Sequence, residues 1–157
     1  MQAKPGVIDH LNAILMNELT AINQYFLQAK MCRNWGYARL GQKLQALSIE
    51  EMREADSVID HLLYLEGVPN MQRLGRVQVG ENVAEHFQLA LQLEQNQVAT
   101  LATAITHCAE VSDFTTRGML EGMIRGEEAD IDWLETQLET IRQVGLEQYL
   151  SQHIQEG

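Results

Sequence analysis

Only two prolines, Pro5 and Pro69, occur in 157 residues, so nothing in the rest of the chain forbids long helices. The two cysteines, Cys32 and Cys108, form no Cys-x-x-Cys pair, which leaves no disulfide framework and points to reduced thiols in a cytosolic setting. Apolar runs stop at four residues, as in Leu62-Leu63-Tyr64-Leu65, too short for a transmembrane helix. The first ten residues, MQAKPGVIDH, carry no apolar signal-peptide core. Positive charge is scarce as well: 11 Lys and Arg face 22 Asp and Glu, a formal net charge of −11. A chain so acidic repels nucleic acid and anionic lipid and suits cations. Sustained alternation of apolar and polar residues is also missing, so strands are not expected.

What is present is apolar patterning at helical spacing. Apolar residues make up 45% of the chain and charged ones 21%, enough for an ordered core. The length fits a single domain spanning residues 1–157. Four stripes advance in alternating steps of three and four. The first runs Ile8, Leu11, Leu15, Glu18, Ile22, Tyr25, Ala29, and the second Leu40, Leu44, Leu47, Glu51, Glu54, Val58, His61, Leu65. The third runs Phe87, Leu91, Glu94, Val98, Leu101, Ile105, Cys108, and the fourth Leu120, Ile124, Glu127, Ile131, Leu134, Leu138, Ile141. Gly36 and Gly41 bracket the first turn, Ser112-Asp113 offers an N-cap between the third and fourth helices, and Gly145 ends the fourth. LEQYLSQHI then reads as a short fifth helix, and Gly67 to Gly80 is the one long connection. The fold class is all-α.

Each stripe carries an acid near its middle, on the face that should be dry: Glu18, Glu51, Glu94 and Glu127. The midpoint of Glu18 and Glu51 falls beside Trp35-Gly36, and that of Glu94 and Glu127 beside Val111-Ser112. Both are predicted turns, so each helical hairpin brings its two acids level. An offset of 76 residues maps Glu18 onto Glu94, Glu51 onto Glu127, Glu54 onto Asp130 and Cys32 onto Cys108. Two stacked hairpins related by a pseudo-two-fold would gather these acids at one point. The 14-residue connection from Gly67 to Gly80 reaches about 46 Å at most, more than the roughly 42 Å of a helix of about 28 residues, so the second and third helices can run parallel.

Buried acids without a cation cost several kcal/mol each or become neutral. Clusters of carboxylates bind hard divalent ions and can bridge two of them. The competing reading is that each Glu escapes along its helix groove or pairs with an arginine.

Over essentially its whole length the sequence resembles the bacterioferritins, the haem-containing branch of the ferritins. The resemblance rests on NELTAINQYFLQAK around Glu18 and Tyr25, IEEMREAD around Glu51 and Met52, LYLEGVPNMQRLG, GEEADIDWLETQLETI and GLEQYL. It implies a ferritin-like four-helix bundle with a long crossover and a short C-terminal helix, in a hollow cytoplasmic shell of about 24 subunits that stores iron. It implies a di-iron site from one Glu on each of two helices and a Glu-x-x-His on each of the others. Glu18 and Glu94 match the single positions, and Glu51 and Glu127 the bridging ones. By the same resemblance Met52 is the axial ligand of a haem b shared between paired subunits, and a small ferredoxin is the electron donor.

The departures from that pattern carry information. Both motif histidines are replaced, giving Glu51-x-x-Glu54 and Glu127-x-x-Asp130, and Ala46 stands where the family often has a further inner-surface His. Six acids, −6 in all, exceed the +4 of two ferrous ions, and no neutral imidazole tunes the site. The expectation is a haem-bearing subunit poor in ferroxidase activity, able to share a shell with a competent partner subunit. The alternatives are an active ferroxidase using Glu54 and Asp130, or a non-storing electron-transfer or structural shell. Met52 shares a second apolar stripe with Ile49, Ile59 and Leu63, where interface packing is the commoner fate of methionine. Tyr25 reads as a hydrogen-bond partner of the acids, an oxidisable residue or a packed tyrosine. His61 reads as a satisfied core histidine, and His10, His86, His107 and His153 show no ligand spacing. The two cysteines read as helix-end packers, and Trp35 and Trp133 as packing anchors. By the resemblance, Asn34, Glu66, Asp132 and Glu139 match positions that line a shell pore.

Overall fold

A computed structural model describes residues 1–154; the last three residues lie outside that description. Four long helices form the body: α1 (Val7–Asn34), α2 (Ala38–Tyr64), α3 (Val83–Glu110) and α4 (Phe114–Val144). A short α5 (Leu146–Ser151) follows. There is no strand among the described residues. This is the ferritin-like four-helix bundle with a short C-terminal helix.

Local chemistry sets the helix ends. The Asn82 side chain accepts from the Glu85 N–H at 2.9 Å, and Glu85 accepts in return from the Glu81 N–H at 2.6 Å. Asp113 caps α4 by accepting from the Thr116 N–H at 3.0 Å, so two orphan helix-end donors are satisfied where the sequence offers Asn and Asp. Gly145 stops α4 at φ 86°. Gly36 lies in the α1–α2 turn at φ 93°, a left-handed backbone suited to glycine. Gly41 does not bracket that turn, being inside α2. A Cβ there would meet Arg33 Cγ at 2.5 Å and the Ala29 carbonyl at 3.1 Å, so the residue lets α1 and α2 approach closely. The fifth helix is shorter than the LEQYLSQHI segment suggests. Gln152 and His153 donate to the carbonyls of Tyr149 and Leu150, three residues back, which tightens the chain into a turn.

The connection between α2 and α3 lies along α1 from end to end. Asn12 accepts from the Asn70 N–H at 2.8 Å, Thr20 from Gly75 at 2.8 Å and Gln24 from Gln78 at 3.2 Å, while Gln28 donates to the Val79 carbonyl at 3.2 Å. The connection therefore runs in the direction of α1, and α3 starts beside the end of α1. Pairing of Asn17 with Gln97 and of Gln28 with the His86 carbonyl sets α1 and α3 antiparallel, and so α2 and α3 parallel, as the reach of the connection predicts.

The core has two apolar clusters. One gathers Leu11, Leu15, Val58, Leu62, Leu101 and Leu120. The other gathers Tyr25, Leu40, Leu44, Phe87, Leu134 and Tyr149. Each buried leucine contributes about 1.5–3 kcal/mol of transfer free energy. On α3 the buried face differs from the expected stripe. Ala90, Gln97 and Ala104 are buried beside Phe87, Glu94, Leu101 and Cys108, while Leu91, Val98 and Ile105 are only half-buried. Small side chains at 90 and 104 let α3 pack against its neighbours there, and the bulkier set turns outward.

Candidate metal centre

All four mid-stripe acids are inside. Glu18 is 0% exposed, Glu51 2%, Glu94 1% and Glu127 1%. Each sits at the middle of its helix, one per helix, so the hairpin register predicted from the turns brings them to one level between the two apolar clusters. Glu54 and Asp130 lie one turn further along α2 and α4 and are half-buried. Two overlapping groups result. Glu51, Glu94, Glu127 and Asp130 bring carboxylate oxygens within 4.8 Å of one another, and so do Glu18, Glu51 and Glu54. Glu51 belongs to both, as a bridging ligand would.

These oxygens have almost no protein partners. Both oxygens of Glu18 and of Glu127, and one each of Glu51, Glu54 and Glu94, are buried with no hydrogen-bond donor. Among the described residues the Tyr25 hydroxyl is the one donor to reach the layer, giving a 2.6 Å hydrogen bond to Glu94 Oε1. Tyr25 is therefore the partner of an acid, one of the roles its place on the stripe allowed. No lysine or arginine forms an ion pair with any of the six acids among the described residues, and the four mid-stripe acids do not reach solvent. Neither escape along a groove nor arginine pairing describes this layer.

The electrostatic consequence is protonation. Burial, joined by the neighbouring Glu54 carboxyl, holds Glu18 well above the usual carboxylate range. Burial first and adjacent acids second do the same to Glu51 and Glu127, and burial raises Glu54. Asp130 is pushed up to about 7 by burial and by Glu94. Burial and Glu94 also raise the Tyr25 hydroxyl, which stays a donor. Without a cation the layer thus holds protons, which a cation would displace.

A cleft approaches the layer from outside the bundle. It has a volume of about 260 Å³ and opens between α1, α3 and the connection, lined by Asn17, Thr20, Gln24, Arg76 and Asn96 among others. Asn17 and Leu93 also line the small void beside Glu51, Glu94 and Glu127. Asn17 donates to Gln97 Oε1 at 2.8 Å and to Thr100 Oγ1 at 3.1 Å, so an amide network stands between cleft and acids.

Met52 lies on α2 away from the acid layer and is 53% exposed, with Ile49 and Leu63 also exposed on the same stripe and Ile59 half-buried. Its thioether is free to meet a partner. His61 makes a 2.8 Å hydrogen bond with Thr116 Oγ1, a satisfied histidine as expected. Asn34, Glu66, Asp132 and Glu139 are exposed.

The sequence matches the ferritin-like domain family over residues 8–144. It is 43% identical over 152 residues to the bacterioferritin of Mycobacterium leprae, covering 97% of this chain and 96% of that one. The chain belongs to the bacterioferritins. Identity to the bacterioferritin of Streptomyces coelicolor is 42% over 156 residues, covering 99% of this chain and 93% of that one. For the bacterioferritin of Brucella melitensis it is 36% over 149 residues, or 95% and 92% of the two chains. Among the described residues no helix of this bacterioferritin is long and apolar enough to cross a membrane.

One pairing escaped sequence reasoning. His86 is fully buried, stacks on Trp35 at 5.2 Å and places Nδ1 3.8 Å from Cys32 Sγ. The two residues are 54 apart in sequence, and only the hairpin stacking joins them. Burial pushes the Cys32 thiol up to about 12, so it stays an inert packed thiol. Trp35 remains partly exposed, while Trp133 meets Phe87 edge-on at 5.6 Å.

Proposed function

We propose that this chain is a subunit for iron storage and release in a closed, hollow bacterioferritin shell of about 24 copies, with residues 1–157 acting as one domain in the cytosol. The observation that carries the reading is the set of buried, donorless carboxylate oxygens at mid-bundle, which cations or protons alone can satisfy. Ferrous iron is the cargo that family membership suggests. Glu18, Glu51 and Glu54 take one ion and Glu51, Glu94, Glu127 and Asp130 the other, with Glu51 between them. Tyr25 holds Glu94 in place through its hydroxyl.

Haem b fits the donor set. Met52 offers an exposed soft thioether on an apolar face, and a second copy of the same face would supply the other. A haem held there would supply an electron path for iron release, with a ferredoxin-type protein as reductant. The shell is homopolymeric or shared with a ferroxidase-competent subunit.

Ferrous oxidation in a homopolymer is slow on this reading, because neutral nitrogen ligands are missing at positions 54 and 130. The specific observation favouring a second reading, an active ferroxidase, is that Asp130 still reaches the four-acid group. Stopped-flow absorbance with ferrous iron and O₂ separates the two. The homopolymer is expected to lack a fast phase stoichiometric with two irons per subunit, and Glu54→His with Asp130→His to create it, with about tenfold or greater acceleration. A fast phase in the unmodified shell establishes the active ferroxidase instead. Failure to accumulate iron beyond the binding sites over hours of aerobic loading rejects storage.

A further inference from the structure

We propose that the carboxylate layer is selective for trivalent over divalent cations and fills in a fixed order, the four-acid group first. The proposal rests on the reading of this layer as a cation site and adds which ions it takes.

The donors are the first reason. Glu51, Glu94, Glu127 and Asp130 stand within ligand reach of one another, as do Glu18, Glu51 and Glu54, with no imidazole or thiolate in either group. Oxygen-only sites favour hard ions, whereas nitrogen ligands draw borderline ions such as zinc or ferrous iron.

Charge is the second reason. Once cations displace their protons, the six carboxylates carry −6, which two divalent ions leave at −2 and two trivalent ions bring to zero. Hydration screens little of that residual charge in the four-acid group. The space beside Glu51, Glu94 and Glu127 is too small for a water molecule, and no lysine or arginine pairs with the acids among the described residues. In such a dry layer a residual charge is poorly screened, so each added unit of cation charge counts for more than it would in solvent. Seven buried oxygens of the layer, on Glu18, Glu51, Glu54, Glu94 and Glu127, have no hydrogen-bond partner, so no hydrogen bond competes for them as ligands.

The order follows from the asymmetry of the two groups. Four carboxylates converge around the Glu94–Asp130 side and three around the Glu18–Glu54 side. The first ion enters the group with the greater negative charge, and the second then meets a Glu51 already shared. For a storage protein the consequence is retention. Ferric ions held in this layer are matched in charge and hardness and have no reason to leave, so the layer anchors oxidised iron.

Terbium(III) tests this on the metal-free assembled shell, since its emission is sensitised by a nearby tyrosine and Tyr25 contacts Glu94 directly. The expected result is two ions per subunit in two steps, with emission that falls in Tyr25→Phe. Asp130→Asn should weaken the first step, and Glu54→Gln the second, each by about tenfold or more. A hundredfold excess of zinc or calcium should displace little terbium from the unmodified shell. Zinc should compete at comparable concentration in the Glu54→His, Asp130→His variant. Circular dichroism and size-exclusion chromatography accompany each variant, and the unmodified shell alone decides the selectivity. If zinc displaces terbium there at equal concentration, trivalent selectivity is wrong while the cation site stands. If equilibrium dialysis finds neither terbium nor any divalent ion in the unmodified shell, the cation site itself is wrong, and this inference with it.

Discussion

The hairpin of α1 and α2 and the hairpin of α3 and α4 share one backbone plan but not one chemistry. α1 and α3 both have 28 residues, and their ends correspond at an offset of 76. The turns correspond too. Gly36 and Ser112 both adopt left-handed backbone, at φ 93° and 60°. The Tyr37 N–H donates to the Cys32 carbonyl at 2.8 Å, and the Asp113 N–H to that of Cys108, also at 2.8 Å. Yet Tyr25, the donor to the acid layer, corresponds to Leu101, which has no hydroxyl. Met52 corresponds to Glu128, and both are exposed. Repeating the frame builds the carboxylate layer. Breaking the repeat at single side chains decides which hairpin orients an acid and which could face haem.

The sharpest test of that asymmetry is at positions 52 and 128. Met52→Leu keeps volume and removes the sulfur, and is expected to abolish the haem absorbance of the purified shell while assembly persists. Glu128→Gln, its counterpart, should leave the spectrum unchanged. Haem retained in Met52→Leu contradicts the assignment.

The Tyr25–Leu101 difference gives a smaller effect. Tyr25→Phe strips the single donor from Glu94 Oε1, and should destabilise the metal-free protein by about 1–3 kcal/mol in urea unfolding. Saturating cation should shrink that loss, because the ion takes over the abandoned oxygen. An equal loss with and without cation would assign Tyr25 to packing alone.

Smallest is the response to pH. Asp130 is raised from 3.8 to about 7, with burial as the main cause. Above pH 3.8 the unfolded chain has released this proton while the folded chain keeps it, so its contribution is full at low pH and is lost as pH rises through about 7. The raised acids Glu18, Glu51, Glu54 and Glu127 act with the same sign. The metal-free melting temperature should therefore fall between about pH 5 and 8, and Asp130→Asn should flatten the slope. A melting temperature that rises over this range opposes the picture.

Much of this was legible because helical periodicity and turn chemistry are local. The level of Glu18 with Glu51, and of Glu94 with Glu127, follows from where Gly36 and Ser112 lie between them. The buried face of α3 departs from its most hydrophobic stripe for an equally physical reason. Phe87, Glu94, Leu101 and Cys108 belong to two adjacent stripes, one adding Leu91, Val98 and Ile105 and the other Ala90, Gln97 and Ala104. Hydrophobicity favours the first, whereas close packing with small residues selects the second. Spacing also placed Met52 on an apolar stripe without saying what covers it, since a single chain's pattern does not distinguish its own core from a face made for another copy. The proximity of Cys32 to His86 depends on stacking across 54 residues, which no window along the sequence contains.

The long connection has a consequence for how the molecule comes apart. Its tethers to Asn12, Thr20, Gln24 and Gln28 are all on α1, so in any partial opening the strap stays with the first hairpin and the seam falls along α1 and α3. The acid layer lies across that seam, with Glu18, Glu51 and Glu54 on one side and Glu94, Glu127 and Asp130 on the other. Cations bound there would act as a clasp between two cooperative units, and amide exchange in α3 and α4 should slow as the clasp closes.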